Sequence, residues 1–369
     1  MPELSHISIS GFKSIASIEK LALGDINVLI GPNGSGKSNF IAVFDFLRAI
    51  RDGRLQEYVG VAGGANRILH FGTKMTVELR IVVSFDDGVN GYEIALKPTA
   101  SDGITLISEF ATYRSEDGRN HRRSFWKTGN EAGISSNFGR GNIPYYVSRH
   151  LEKWRIYHFH DTSASSPMRR NCEVNDNRFL RPDGSNLAAF LYLLKEKEPD
   201  TYGLIRGIVQ QVAPFFDDFQ LEPLELGPEM IRLEWRHRNS DTYFDASSLS
   251  DGTLRFIALA TLFLQPKRFR PSVIIVDEPE LGLHPFAIGL LASLVRQASV
   301  YSQVILSTQS PILLDYFEPE EVLVADCIDG RTELRRLDSE ALESWLEDYS
   351  LGELWEKNEL GGRPHGNFP

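Results

Sequence analysis

The chain has 369 residues, 42% of them hydrophobic and 24% charged, and a net charge of -11 at neutral pH. That composition excludes a disordered or fibrous chain and leaves ample material for a core. The acidic total argues against a surface that is basic overall and built for non-specific nucleic-acid binding. Cys172 and Cys327 stand far apart and give neither a disulfide framework nor a metal-ligand spacing. With no signal peptide at the N-terminus and no apolar run near the roughly 20 residues that span a bilayer, a cytoplasmic protein without membrane contact is expected.

The first elements read as strands. His6 to Ser10 and Ser14 to Leu21 alternate, and Asn27-Val28-Leu29-Ile30 is a buried strand running into a glycine-rich loop. From Lys37 to Ile50 the apolar residues Phe40, Ile41, Phe44 and Leu47 recur at helical spacing. Thr76 to Ser84, Tyr92 to Lys97 and Thr105 to Tyr113 read as antiparallel strands, with Asp87-Gly88 and Asp117-Gly118 as turns. Gly129 to Asn142 is rich in Gly, Asn and Ser and reads as a mobile loop; Tyr145 to Lys153 reads as helix and Trp154 to Phe159 as extended. Helices are expected from Ser185 to Lys197, Pro199 to Val212 and Ser250 to Leu264, the second with proline in its first turn. Strand 273–276, helix 285–298, strand 303–307 and strand 321–325 then alternate as a parallel sheet requires, with 332–337 as a closing strand.

Four motifs carry the chemistry. Gly31-Pro32-Asn33-Gly34-Ser35-Gly36-Lys37-Ser38 fits G-x-x-x-x-G-K-[ST] and stands between a strand and a helix, the context that makes it a P-loop. Its glycines let successive N–H groups wrap an anion, and the helix N-terminus adds its positive dipole end. Lys37 is expected on the β- and γ-phosphates of ATP and Ser38 on Mg²⁺. Val273-Ile274-Ile275-Val276-Asp277-Glu278 is an apolar strand ending in two carboxylates: Asp277 for Mg²⁺, and Glu278, turned elsewhere, as general base. Ser250-Asp251-Gly252-Thr253 opens a helix, with Ser250 equally suited to a plain N-cap. Ser307-Thr308-Gln309-Ser310-Pro311 ends a second apolar strand. In this order the four make Mg-dependent ATP binding and hydrolysis the leading reading. His160 and Asp161 invite a catalytic reading of their own, against which stands local loop hydrogen bonding.

Together with Gly11-Phe12-Lys13-Ser14-Ile15, Asp277-Glu278-Pro279-Glu280-Leu281-Gly282-Leu283-His284-Pro285, Tyr157 to Ser163, Asp183 to Ala188, Leu351 to Trp355 and Gly361-Gly362-Arg363-Pro364, these motifs resemble a stand-alone bacterial ATPase of the ABC class, related to RecF, SMC heads and overcoming-lysogenisation-defect (OLD) ATPases. The resemblance spans nearly the whole chain. It implies an α/β P-loop NTPase head with a mixed sheet, an antiparallel β lobe and a helical insertion. The chain then divides into a P-loop part (1–74), an antiparallel segment (75–140), a mainly helical insertion (141–218) and a C-terminal lobe (219–369), all one ATPase domain. It further implies nucleotide contacts from Gly31, Asn33, Gly34, Ser35, Gly36, Lys37, Ser38 and Asn39, and contacts across a dimer from Ser250, Asp251, Gly252 and the D-loop residue His284. In that class Phe12 and Lys13 lie near the region that contacts the base or phosphates. The switch position, often His in the class, is Gln309, which hydrogen-bonds but carries no charge. For the Q-loop glutamine the nearest candidate is Gln56.

Three roles compete. The first is a homodimeric sensor or switch for a separately encoded effector, a nuclease in defence against phage or plasmids. The second is a RecF-like clamp with DNA as partner, served by local basic runs such as Arg119-Asn120-His121-Arg122-Arg123. The third, a transporter ATPase subunit, rests on fold analogy alone. Too few residues follow Val322 to Asp329 for a fused TOPRIM nuclease, so no intrinsic nuclease is expected, Asp326 notwithstanding.

Overall fold

Strand Ile26–Ile30 is buried at every position, and its alternating side chains separate two cores. Val28 and Ile30 face a cluster formed with helices Leu187–Lys197, Pro199–Val212, Asp251–Leu264 and Pro285–Ser299. Leu29 faces a second cluster, with helix Lys37–Arg51 and an antiparallel sheet. The neighbouring strands divide in the same way: Ile274, Val276, Val304 and Leu306 on one side, Val273, Ile275 and Ile305 on the other. A sheet covered on both faces needs such unbroken apolar runs.

The computed structural model describes residues 3–125 and 130–361. Its central sheet has six strands in the order Arg331–Arg336, Val322–Ile328, Ile26–Ile30, Gln303–Thr308, Val273–Asp277 and Trp154–Tyr157. All neighbours are parallel except the first pair. The extended segment expected to reach Phe159 thus pairs only as far as Tyr157, opposite Val276. A second six-stranded sheet is antiparallel, in the order Ile15–Ala22, Leu4–Phe12, Leu79–Phe85, Asn90–Pro98, Ile104–Arg114 and Asn120–Ser124. Together these are the mixed sheet and antiparallel β lobe that the resemblance implies.

The segment read as a mobile loop is anchored where it is described. Glu109 is buried, and its carboxylate accepts from the Tyr92 hydroxyl at 2.8 Å and from the N–H groups of Gly133 and Ile134 at 2.6 and 2.9 Å. Glu131 accepts from the N–H groups of Leu55 and Gln56, capping the helix Leu55–Ala62. Composition alone hid this, because the anchors are a distant carboxylate and a helix start. Gly129, at the start of that segment, and Gly362-Arg363-Pro364 lie outside the described residues.

Helix Lys37–Arg51 meets the sheet through Phe44, whose ring lies 5.3 Å from that of Trp154 on the edge strand and 5.5 Å from that of Phe40 on its own helix. All three are fully buried. Phe44→Ala should therefore lower stability by about 3–5 kcal/mol, read as a shift of the urea midpoint; a loss below about 1 kcal/mol would mean that the helix is held in some other way.

Candidate active site

The C-terminal ends of the parallel strands share one edge of the sheet, and the motifs collect there. Gly31 follows Ile30 directly, so close to strand Val322–Ile328 that a side chain on it would meet the Ala325 carbonyl. Gly34 and Gly36 have φ of +84° and +100°, which turns the loop so that helix Lys37–Arg51 starts behind it. Asn33, Gly34 and Ser38 are exposed, whereas Ser35 and Lys37 are buried. The Lys37 ammonium donates to the carbonyls of Gly31 at 2.6 Å and Pro32 at 3.0 Å. Burial holds it below its ordinary pKa, while Glu278, Asp277 and Glu280 pull the other way.

A group that the motif did not reveal sits behind the loop. The Thr332 hydroxyl donates to the Ser35 carbonyl at 3.0 Å and lies 2.7 Å from the Ser14 hydroxyl. The Asn39 amide donates to Ser14 at 2.7 Å. A side chain on Gly36 would run into Thr332. The antiparallel strand Arg331–Arg336 therefore fixes the loop's shape through one hydroxyl. The only sequence signal was an isolated threonine in a charged strand. On the other side of Asn39, a shallow depression includes Lys13, Asn66, Arg67 and the exposed Phe71.

Asp277 ends its strand opposite Ser307. The next residue, Glu278, has φ +42°, a left-handed backbone, and its N–H donates to the Ser307 carbonyl at 2.7 Å. The two carboxylates consequently leave the chain in different directions. The Gln309 amide donates to the Glu278 carboxylate. Glu280 is buried, and its carboxylate accepts from the Thr308 hydroxyl at 2.5 Å and the Gln309 N–H at 3.3 Å. Burial raises its pKa, and these hydrogen bonds offset part of the rise.

Two histidines join this edge. His160 Nε2 lies 4.0 Å from Asp277 Oδ2, and the ring nitrogens of His158 and His160 and the Asp277 carboxylate all fall within 4.8 Å of one another. Arg255 fixes this segment, donating to the carbonyls of Phe159 at 2.9 Å, His160 at 3.0 Å and Leu281. Burial holds the His160 imidazole below its ordinary pKa, with Asp277 opposing. Asp161 is different: its carboxylate accepts from the N–H and hydroxyl of Ser163 in a local turn. Gln56 is occupied elsewhere, its amide donating to the carbonyls of Ile104 and Asn130.

Ser250, Asp251, Gly252 and His284 form a separate group. Ser250 caps helix Asp251–Leu264 by accepting from the Thr253 N–H, and Asp251 pairs with Arg169 at 2.9 Å. A side chain on Gly252 would meet the Gly282 carbonyl. His284 caps helix Pro285–Ser299. Ser250, Asp251, Leu281 and His284 are exposed, and among the described residues no hydrogen bond joins this group to Gly31–Asn39.

The donor set fits a nucleoside triphosphate with a divalent ion. Ser35 Oγ and Ser307 Oγ are buried without a hydrogen-bond partner, the loop offers N–H groups and an ammonium, and Ser38 and Asp277 offer oxygen ligands. Residues 26–315 match the family described as "AAA domain, putative AbiEii toxin, Type IV TA system". No protein of curated function matches the chain by sequence. Among solved structures it is similar to an SMC head bound to the C-terminal winged-helix domain of ScpA, with 17% identity, TM-score 0.59, and 93% of this chain and 100% of that chain covered. It is similar also to an SMC head with an extended coiled coil bound to the C-terminal domain of ScpA derived from Pyrococcus furiosus, with 15% identity, TM-score 0.54, and 94% and 99% covered.

Thr332→Val keeps the shape and removes the hydroxyl that supports Ser35 and Ser14. It should lower stability by about 1–3 kcal/mol, measured by urea denaturation; an unchanged midpoint would show the contact to be incidental. Glu280 gives a pH signature. Its folded pKa is raised, so the stability it contributes is present below its ordinary 4.5 and is lost as pH climbs through the folded value. The melting temperature of Glu280→Gln relative to wild type should therefore increase from pH 4.5 to pH 8; a difference that does not change with pH would contradict the burial argument.

Proposed function

The chain belongs to the AbiEii-type AAA-domain family and is an ATPase with the head fold of SMC proteins; from that premise we propose that it is a nucleotide-driven switch, dimerising around ATP to control a separately encoded effector, a nuclease of a defence system. One observation carries the mechanism: Glu278, held by the Gln309 amide, stands at the same sheet edge as Lys37.

Lys37 exchanges the Gly31 and Pro32 carbonyls for phosphate oxygens, and the N–H groups of Gly34 to Ser38 receive the rest of the phosphate charge. Ser38 and Asp277 would hold Mg²⁺, which when bound would neutralise charge on the phosphate oxygens. Glu278 takes the proton of the attacking water. Gln309 orients that carboxylate and signals its engagement into helix Pro311–Leu314. The depression beside Asn39 receives the base, with the exposed Phe71 ring as a stacking surface.

The separate grouping of Ser250, Gly252 and His284 supports closure in trans: the exposed helix start of one subunit meets the nucleotide of the other. The exposed Leu281 and Phe286 beside it suit a face that becomes covered. The toxin–antitoxin description of the family supports the defence role, and the ScpA-bound SMC heads show that this fold can carry a protein partner. The basic run 119–123 gives the DNA-clamp reading less support, because Arg122 is paired with Glu93 and Arg119 with Asp117.

Glu278→Gln should lower ATP turnover by about 10²–10⁴-fold while retaining nucleotide. With ATP it should run as a dimer by light scattering, and adding Ser250→Arg should return it to monomer. Lys37→Ala should lose nucleotide binding. Wild-type turnover in Glu278→Gln would remove the base assignment, and an ATP-independent oligomeric state would remove the switch. Affinity capture with Glu278→Gln and ATP should recover a nuclease chain absent from the Lys37→Ala control; recovery of DNA with repair factors alone would replace the effector reading by the clamp.

A further inference from the structure

We propose that His158, His160 and Asp277 form a divalent transition-metal site at the edge of the nucleotide site. Ligands about 2.0–2.2 Å from one ion lie no more than about 4.4 Å apart. The three donor atoms are within 4.8 Å of one another, so slight side-chain rotation closes the set. The 4.0 Å between His160 Nε2 and Asp277 Oδ2 is too long for a hydrogen bond and suits two ligands sharing an ion.

The placement follows from the sheet. Tyr157 pairs with Val276, so the parallel register brings His158 beside Asp277. Beyond the end of the strand the chain brings the two imidazoles together, their ring centroids 6.1 Å apart. The backbone is locked on both sides of Phe159: the His158 N–H donates to the Pro182 carbonyl at 2.9 Å, and Arg255 holds the carbonyls of Phe159 and His160. The site is accessible, since His158 is exposed and the other two are half-buried.

The donor chemistry selects the ion. Mg²⁺ prefers an all-oxygen octahedron, whereas two imidazoles and a carboxylate suit Mn²⁺, Fe²⁺, Co²⁺ or Zn²⁺ and leave positions open for water or a phosphate oxygen. Metal binding by these residues needs no nucleotide. Only the inference that the ion also meets a phosphate rests on the ATPase mechanism above.

The test uses Mn²⁺ alone with the full chain. Calorimetry should show one saturable Mn²⁺ site that a tenfold excess of Mg²⁺ does not displace, and electron spin echo modulation of the bound Mn²⁺ should show coupling to imidazole ¹⁴N. His160→Ala and Asp277→Asn should each weaken binding by at least about tenfold, the lower end for disturbing even an outer-shell partner. Lys37→Ala should leave it intact while losing ATP, which separates failure of this site from failure of the nucleotide reading. Bound Mn²⁺ without nitrogen coupling, affinity unchanged in His160→Ala, or no saturable binding would each overturn the proposal. The spectroscopic readout is made on the wild type and does not depend on how a variant folds.

Discussion

Parallel pairing in the central sheet is the constraint on which the site depends. Four parallel strands end at one edge, delivering Gly31, Thr308 with Gln309, Asp277 with Glu278, and His158 to the same place. Parallel strands need both faces covered, because each is an unbroken apolar run. The two cores divided by Leu29 and its neighbours Val28 and Ile30 are therefore the reason that the polar edge stays in register. A slip of one residue in strand Val273–Asp277 would exchange its core faces and move Asp277 away from Ser307.

Arg255 joins this edge to the surface that carries Ser250 and His284. It is buried, and its guanidinium spans the carbonyls of Phe159, His160 and Leu281. Burial lowers its pKa, yet a guanidinium stays charged, so the three carbonyls are what make its position tolerable. With Gly252 against the Gly282 carbonyl, helix Asp251–Leu264 is coupled to the loop after Glu280 by contact on both sides. A displacement at either surface would have to pass through these bonds, giving the two regions a physical link rather than mere proximity in sequence.

Much of this was legible in the sequence, and the reason is locality. A buried strand, a glycine turn and a helix start are neighbours along the chain, so the spacing from Asn27 to Ile50 was enough to expect their order. Strand Val322–Ile328 was legible from its place in the alternation with helices, and Arg331–Arg336 as a strand that closes the sheet beside it. Illegible were contacts that only the sheet register creates. Thr332 lies almost the whole chain away from Ser35, and nothing near it marks it as a support. His160 could not be separated from Asp161 by sequence, since both sit in one polar segment; in the fold the carbonyl of His160 is held by Arg255 and its ring lies 4.0 Å from Asp277, while Asp161 is consumed by Ser163. The anchoring of Gly133 and Ile134 by Glu109 was hidden for the same reason.

The backbone at Glu278 adds one more argument. A left-handed conformation costs a non-glycine residue roughly 1–2 kcal/mol, and glycine would avoid that cost. The chain nevertheless carries a carboxylate there, with its N–H tied to the Ser307 carbonyl and its side chain met by the Gln309 amide. Stability gives no reason for a glutamate at such a position, since the N–H bond would survive in glycine. The side chain itself must be what the position retains, and its partner is a neutral amide that can hold a carboxylate without neutralising it. That combination supports the base role proposed for Glu278, distinct from the ligand role proposed for Asp277 one residue away.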